Sequence, residues 1–106
     1  MRISSLRIGA KVYTVEPTSP AELADEGRQA DVCHRTATIR VVTEGASQHL
    51  ASLVIHESLH AIFDDSGIEI PRDEEERFVS ILTPRLTAFL ADNPEQVREL
   101  IRMLRR

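Results

Sequence analysis

The chain has 106 residues, 13 basic against 17 acidic side chains for a net charge of −4, and 42% apolar residues, the proportions of one ordinary domain with a single hydrophobic core. No apolar run approaches the roughly 20 residues that cross a bilayer, the acidic balance disfavours nucleic acid as a partner, and Cys33 stands alone, so no intrachain disulfide can form. Residues 1–10 mix Arg2 and Arg7 with scattered apolar side chains and lack a secretion-signal pattern; a cytoplasmic protein without a membrane span is the expectation.

Residues 6–16 alternate in polarity around Gly9 and predict one or two short strands. Residues 17–27 gather Pro17, Ser19, Pro20 and Gly27 among acidic residues, which predicts a surface loop with one helical turn, Ser19 capping it and Pro20 in first position. Residues 30–43, with Val32, Thr38, Ile39, Val41 and Val42, predict two antiparallel strands reversing near His34 and Arg35. From Ala46 the period becomes helical through Leu50, Leu53, Val54, Ile62 and Phe63 and stops at Gly67. This helix is apolar on nearly every side, so burial in the core is expected.

A second helix is predicted from the acidic run 73–76, whose charges complement a helix start, through Phe78, Val79 and Leu82. Pro84 predicts a kink or a restart capped by Thr83. Asn93-Pro94-Glu95-Gln96 marks a third start, with Asn93 as cap and Gln96 completing a capping box. Val97, Leu100, Ile101 and Leu104 then form a stripe expected to dock on the rest of the protein, with Arg98, Arg102, Arg105 and Arg106 on a solvated outer face. The expected fold is α+β in one domain over residues 1–106: a small antiparallel sheet packed on a buried helix, then two or three further helices.

His56-Glu57-Ser58-Leu59-His60 places two histidines one helical turn apart on one face of the first helix. Both imidazoles can then reach one zinc ion at about 2.0–2.1 Å. Glu57, beside that face, is the candidate general base for a water acidified by the ion. A pattern of five residues can arise by chance, but burying two imidazoles and a carboxylate with neither metal nor partners costs about 1–3 kcal/mol per unsatisfied group. His49, seven residues before His56, shares its face but lies two turns away, which suits a surface histidine or a substrate contact rather than a ligand. Cys33 and His34 are given no role, the cysteine reading as a small buried hydrophobe.

The stretch 55–63 (Ile-His-Glu-Ser-Leu-His-Ala-Ile-Phe), the Gly-containing loop, the acidic run, Phe78-Val79 and Leu90-Ala91-Asp92-Asn93-Pro94 together resemble the small phage and prophage zinc metallopeptidase-like proteins. These are compact relatives of the gluzincins, similar in core plan to the repressor-cleaving metallopeptidases of mobile elements. The resemblance covers roughly residues 36 to 94. It implies a minimal zincin-like plan, a peptide or protein substrate entering as an extended strand beside an edge strand, for which residues 36–43 are the candidate, and a third zinc ligand from the second helix. Glu74, Glu75 and Glu76 are available. With Phe78, Val79, Leu82, Leu86 and Phe89 as the buried face, geometry leans to Glu75. The resembling proteins place the ligand three residues before the branched residue matching Val79, which selects Glu76 and leaves Glu75 as the alternative.

The expected function is therefore zinc-dependent peptide-bond hydrolysis, with His56, His60 and Glu76 on the metal and Glu57 as base. The alternative is a non-catalytic, metal-stabilised interaction module or phage accessory protein. A DNA-associated regulator using the basic last helix is the third reading, and the net charge argues against it.

Overall fold

The computed structural model describes residues 1–26 and 28–105. Gly27 and Arg106, assigned above to the loop and to the outer face of the last helix, lie outside the described residues. Strands β1 (Ser5–Ile8) and β2 (Lys11–Thr18) form a hairpin around Gly9. A 3₁₀ turn, Pro20–Glu26, leads to a second hairpin of β3 (Ala30–Cys33) and β4 (Thr38–Val42). Helices α1 (Ser47–Ser66), α2 (Arg72–Asp92) and α3 (Pro94–Leu104) follow. The α+β class and nearly all of the predicted elements are present.

The sheet is mixed rather than antiparallel. Its order is β1-β2-β4-β3, with β2 and β4 running parallel in the register Thr14↔Thr38 and Val15↔Ile39. The reason is topological: the 3₁₀ turn delivers the chain to the far edge, where β3 is laid down, and the hairpin returns β4 into the gap beside β2. Residues 36–43 therefore supply an interior strand with both backbone edges paired, and cannot be the substrate edge expected of them. The edges are β1 and β3.

Alternation puts Tyr13 and Val15 of β2 and Ile39 and Val41 of β4 on the face that packs against Val54 and Ala61 of α1, with Ile8 and Ala30 completing this core. Cross-strand partners Asp31 and Arg40 join in a two-pronged ion pair. Gly9, at φ +60°, lets the first hairpin approach α1 so closely that Ala10 N–H donates to the Asp65 carboxylate at 3.2 Å. Gly67, at φ +72°, ends α1 as expected.

The helices are less enclosed than their composition suggests. Only Val54, Glu57 and Ala61 of α1 are buried, a stripe at i, i+3 and i+7 facing the sheet and α2, while Ile62 on the other side is half exposed. On α2 the covered line is Glu75, Val79, Thr83, Leu86 and Leu90, not one centred on Phe78 and Leu82: Leu82 is 44% exposed, and Phe78 lies at the margin, half exposed with its ring stacked on Phe63 of α1 at 6.5 Å between centroids. α2 runs unbroken through Pro84 with neither a restart nor a cap at Thr83. Side chains answer its carbonyls there: Thr83 Oγ1 donates to Val79 O at 2.7 Å and the Arg85 guanidinium to Ile81 O at 2.9 Å. Asn93 precedes α3 but does not cap it with its side chain, which donates instead to Phe89 O at 2.9 Å and closes the end of α2. α3 fully buries no side chain: Val97 is half covered near α2, while Leu100, Ile101 and Leu104 of its stripe are exposed and not docked. No helix among the described residues is long and apolar enough to cross a membrane.

Candidate metal centre

Packing of α1 against α2 brings the motif to the acidic start of the second helix. His56 and His60, one turn apart, hold their rings at 5.0 Å between centroids. His56 Nε2 lies 3.1 Å from Glu76 Oε1 and His60 Nε2 lies 2.7 Å from Glu76 Oε2. One ligand atom from each of these three residues falls within a common 4.8 Å. Glu76 approaches from the side of the covered face and is itself exposed, whereas Glu75 points along that face.

Glu75 reaches the opposite side of His60, its Oε2 lying 2.6 Å from Nδ1. The two ring nitrogens of His60 are thus flanked by carboxylates, and a tautomer with Nδ1–H donating to Glu75 would leave Nε2 as the atom able to bind an ion. Thr83, 4% exposed, stands behind His56 in the same way, Oγ1 being 3.4 Å from Nδ1. The Thr83 hydroxyl proton is committed to Val79 O, so its oxygen is free to accept from His56 Nδ1–H. Two imidazole Nε2 atoms and a carboxylate thus stand close enough together that they could hold one cation. Tetrahedral coordination at 2.0–2.1 Å needs ligand atoms about 3.3 Å apart. The observed contacts, 3.1 Å to Glu76 Oε1 and 2.7 Å to Glu76 Oε2, are shorter than that, so the three side chains would have to move apart to admit an ion.

Electrostatics support the same donor set. Burial, aided by the nearness of His60 and opposed by Glu76, pushes the His56 pKa below its usual value, so this ring is neutral at physiological pH. Partial burial pushes Glu76 upward, but the imidazoles of His56 and His60 and a hydrogen bond from Ser80 at 3.1 Å outweigh it and hold the carboxyl below the usual range. Glu57 is 8% exposed, and burial raises its pKa to about 7; Glu76 and Asp31 add to the rise, while His60 and Arg28 oppose it. A carboxyl balanced near neutrality beside a cation site suits proton transfer in both directions.

The remaining histidines stand outside this cluster. His49, exposed in the first turn of α1, pairs with Gln29 Oε1 at 2.6 Å. His34 Nδ1 lies 3.1 Å from the hydroxyl of buried Tyr13. Cys33 ends β3 on the surface and is not the buried hydrophobe expected, because the strand's last residue falls at the turn. Sequence reasoning missed Thr83 and Ser80, the partners of His56 and Glu76. The only trace of Thr83 was a polar residue on the line Glu75, Val79, Leu86, which became visible as a line only when the wrong face of α2 was set aside. Comparison with models of known protein families, with curated proteins and with solved structures finds no match to this chain.

Proposed function

We propose that this chain is a zinc-dependent metallopeptidase of minimal zincin-like plan, related to the phage and prophage proteins its motif resembles, acting on a peptide or protein substrate. The observation that carries the reading is the convergence of His56 Nε2, His60 Nε2 and the Glu76 carboxylate within 4.8 Å, one residue away from a buried Glu57 whose pKa is raised to about 7. His56, His60 and Glu76 would hold the ion, with Thr83 and Glu75 orienting the two rings from behind. A bound divalent ion supplies polarisation of the scissile carbonyl and acidification of the attacking water.

Glu57 takes the proton from that water and delivers it to the departing amine; a carboxyl near pH 7 is matched to both halves of the task. Its buried setting shields the transfer from bulk solvent. Substrate enters along β3, an edge strand that packs on α1 and can pair its outer side with an extended chain. The test compares zinc-loaded wild type with Glu57→Gln on an unfolded protein substrate. Cleavage should fall by about 10²–10⁴-fold while zinc content stays unchanged. Wild-type protein that carries zinc yet cleaves no faster than Glu57→Gln would replace this reading with the metal-stabilised interaction module.

A further inference from the structure

The accessible surface of the chain is larger than its size warrants. A monomer of 11.9 kDa is expected to expose about 5,900 Å², and this chain exposes 7868 Å². Its radius of gyration, 14.3 Å, likewise exceeds the roughly 13 Å of a compact domain of this length. The surplus of roughly 1,900 Å² matches what each subunit of an obligate dimer covers, since such interfaces bury about 2,000–5,000 Å² in total.

The extra exposure is concentrated and patterned. On α2, Phe78, Leu82 and Phe89 are 48%, 44% and 51% exposed and, with Arg85 between them, follow the 4-3-4 spacing of a helix-packing seam, flanked by Ile81. Arg85 does not obstruct it, because its guanidinium is folded back onto Ile81 O. On α3, Leu100, Ile101 and Leu104 are exposed on one face while Glu95, Arg98, Glu99 and Arg102 occupy the other. An isolated helix shorter than about 12–15 residues is marginal in water. α3 has 11 residues, buries none of them fully, and packs chiefly on α2. Some surface must cover it.

From this fit of area, spacing and charge we infer that a second copy of the chain docks on the outward face of α2 and the apolar stripe of α3, giving a two-fold dimer. The seam is self-complementary when two α2 helices run antiparallel about a point between Leu82 and Arg85: Phe78 of one copy then faces Phe89 of the other. The same arrangement brings Glu74, in the acidic start of α2, level with the α2–α3 junction of the other copy, where Arg98 is the first cation on α3. On α2 the metal-facing Thr83 lies about a third of a turn around the helix from the seam, whereas Glu75 borders it, about 50° from its centre.

Sedimentation equilibrium of wild-type protein should give twice the chain mass of 11.9 kDa. Phe89→Glu and Leu82→Glu should each weaken association by about 100-fold or more with helical circular dichroism retained. Arg98→Glu and Glu74→Arg, which leave the apolar seam whole, should each weaken it about threefold to tenfold, and their combination should recover most of the loss. Wild type that stays monomeric up to about 100 μM overturns the inference, whether or not the face then takes up another protein or a vesicle. A dimer indifferent to all four substitutions overturns it equally.

Discussion

Glu57→Gln in metal-free protein isolates the energetic cost of keeping a carboxyl inside the α1–sheet interface. Burial is the main cause that moves Glu57 from its ordinary value of 4.5 to about 7. Below pH 4.5 it is neutral in both folded and unfolded chains. As pH rises from 4.5 to 7 the unfolded chain releases this proton and the native state keeps it, so the native state binds more protons and the unfolding free energy falls. Above 7 the native carboxyl ionises too and the loss levels off. At 1.36 kcal/mol per pH unit the full effect is about 3 kcal/mol. Glutamine fills nearly the same volume and does not titrate. Urea unfolding with chelator present should therefore find wild type and Glu57→Gln about equally stable near pH 4.5–5, and the variant more stable by about 3 kcal/mol near pH 8. The comparison cancels the titration of every other group common to both proteins. A stability difference that stays constant within about 0.5 kcal/mol across this range would mean that Glu57 is not held neutral by its surroundings, and its role as proton carrier would lose its physical basis.

Zinc at about a thousand times its dissociation constant should stabilise the chain by about 4 kcal/mol and raise Tm by about 15 °C or more, reversibly with chelator; a melting curve indifferent to zinc would contradict a site built from His56, His60 and Glu76. Glu75→Gln, which removes the carboxylate behind His60 Nδ1, should weaken zinc binding by about 10–100-fold. Glu76→Ala, which removes a ligand, should cost more than about 100-fold, and competition against a chelating dye giving the opposite order would exchange the roles of the two glutamates. At Gly9 a Cβ would sit 1.9–2.1 Å from the Asp65 carboxylate, so Gly9→Ala should cost about 2–4 kcal/mol. In an Asp65→Ala background only the left-handed backbone cost of about 1–2 kcal/mol should remain, and equal losses in both backgrounds would refute the close approach.

Local chemistry was legible in the sequence wherever it is written into consecutive residues. Gly9 and Gly67 marked a turn and a helix end because a left-handed backbone has few other tenants, Asn93-Pro94 marked the α2–α3 boundary, and alternation in residues 6–16 and β-branched content in residues 30–43 identified strands. The His56, Glu57 and His60 arrangement followed from helical period alone, since a spacing of four residues sets the ring directions. What composition could not reveal was which partner each surface meets. Strand order depends on where the chain returns after the 3₁₀ turn, so only the assembled sheet shows β4 in the interior and β3 at the edge. Apolar content marked Phe78, Leu82, Leu100 and Leu104 as buried, yet burial belongs to the neighbour as much as to the residue: Phe78 is only half covered, by the stacked ring of Phe63, and Leu82, Leu100 and Leu104 stay largely exposed within one chain. Three adjacent glutamates are equivalent as letters. The crossing of α1 and α2 distinguishes them, turning Glu76 toward both Nε2 atoms and Glu75 toward the back of His60, because neighbouring positions on a helix differ by about 100° in direction.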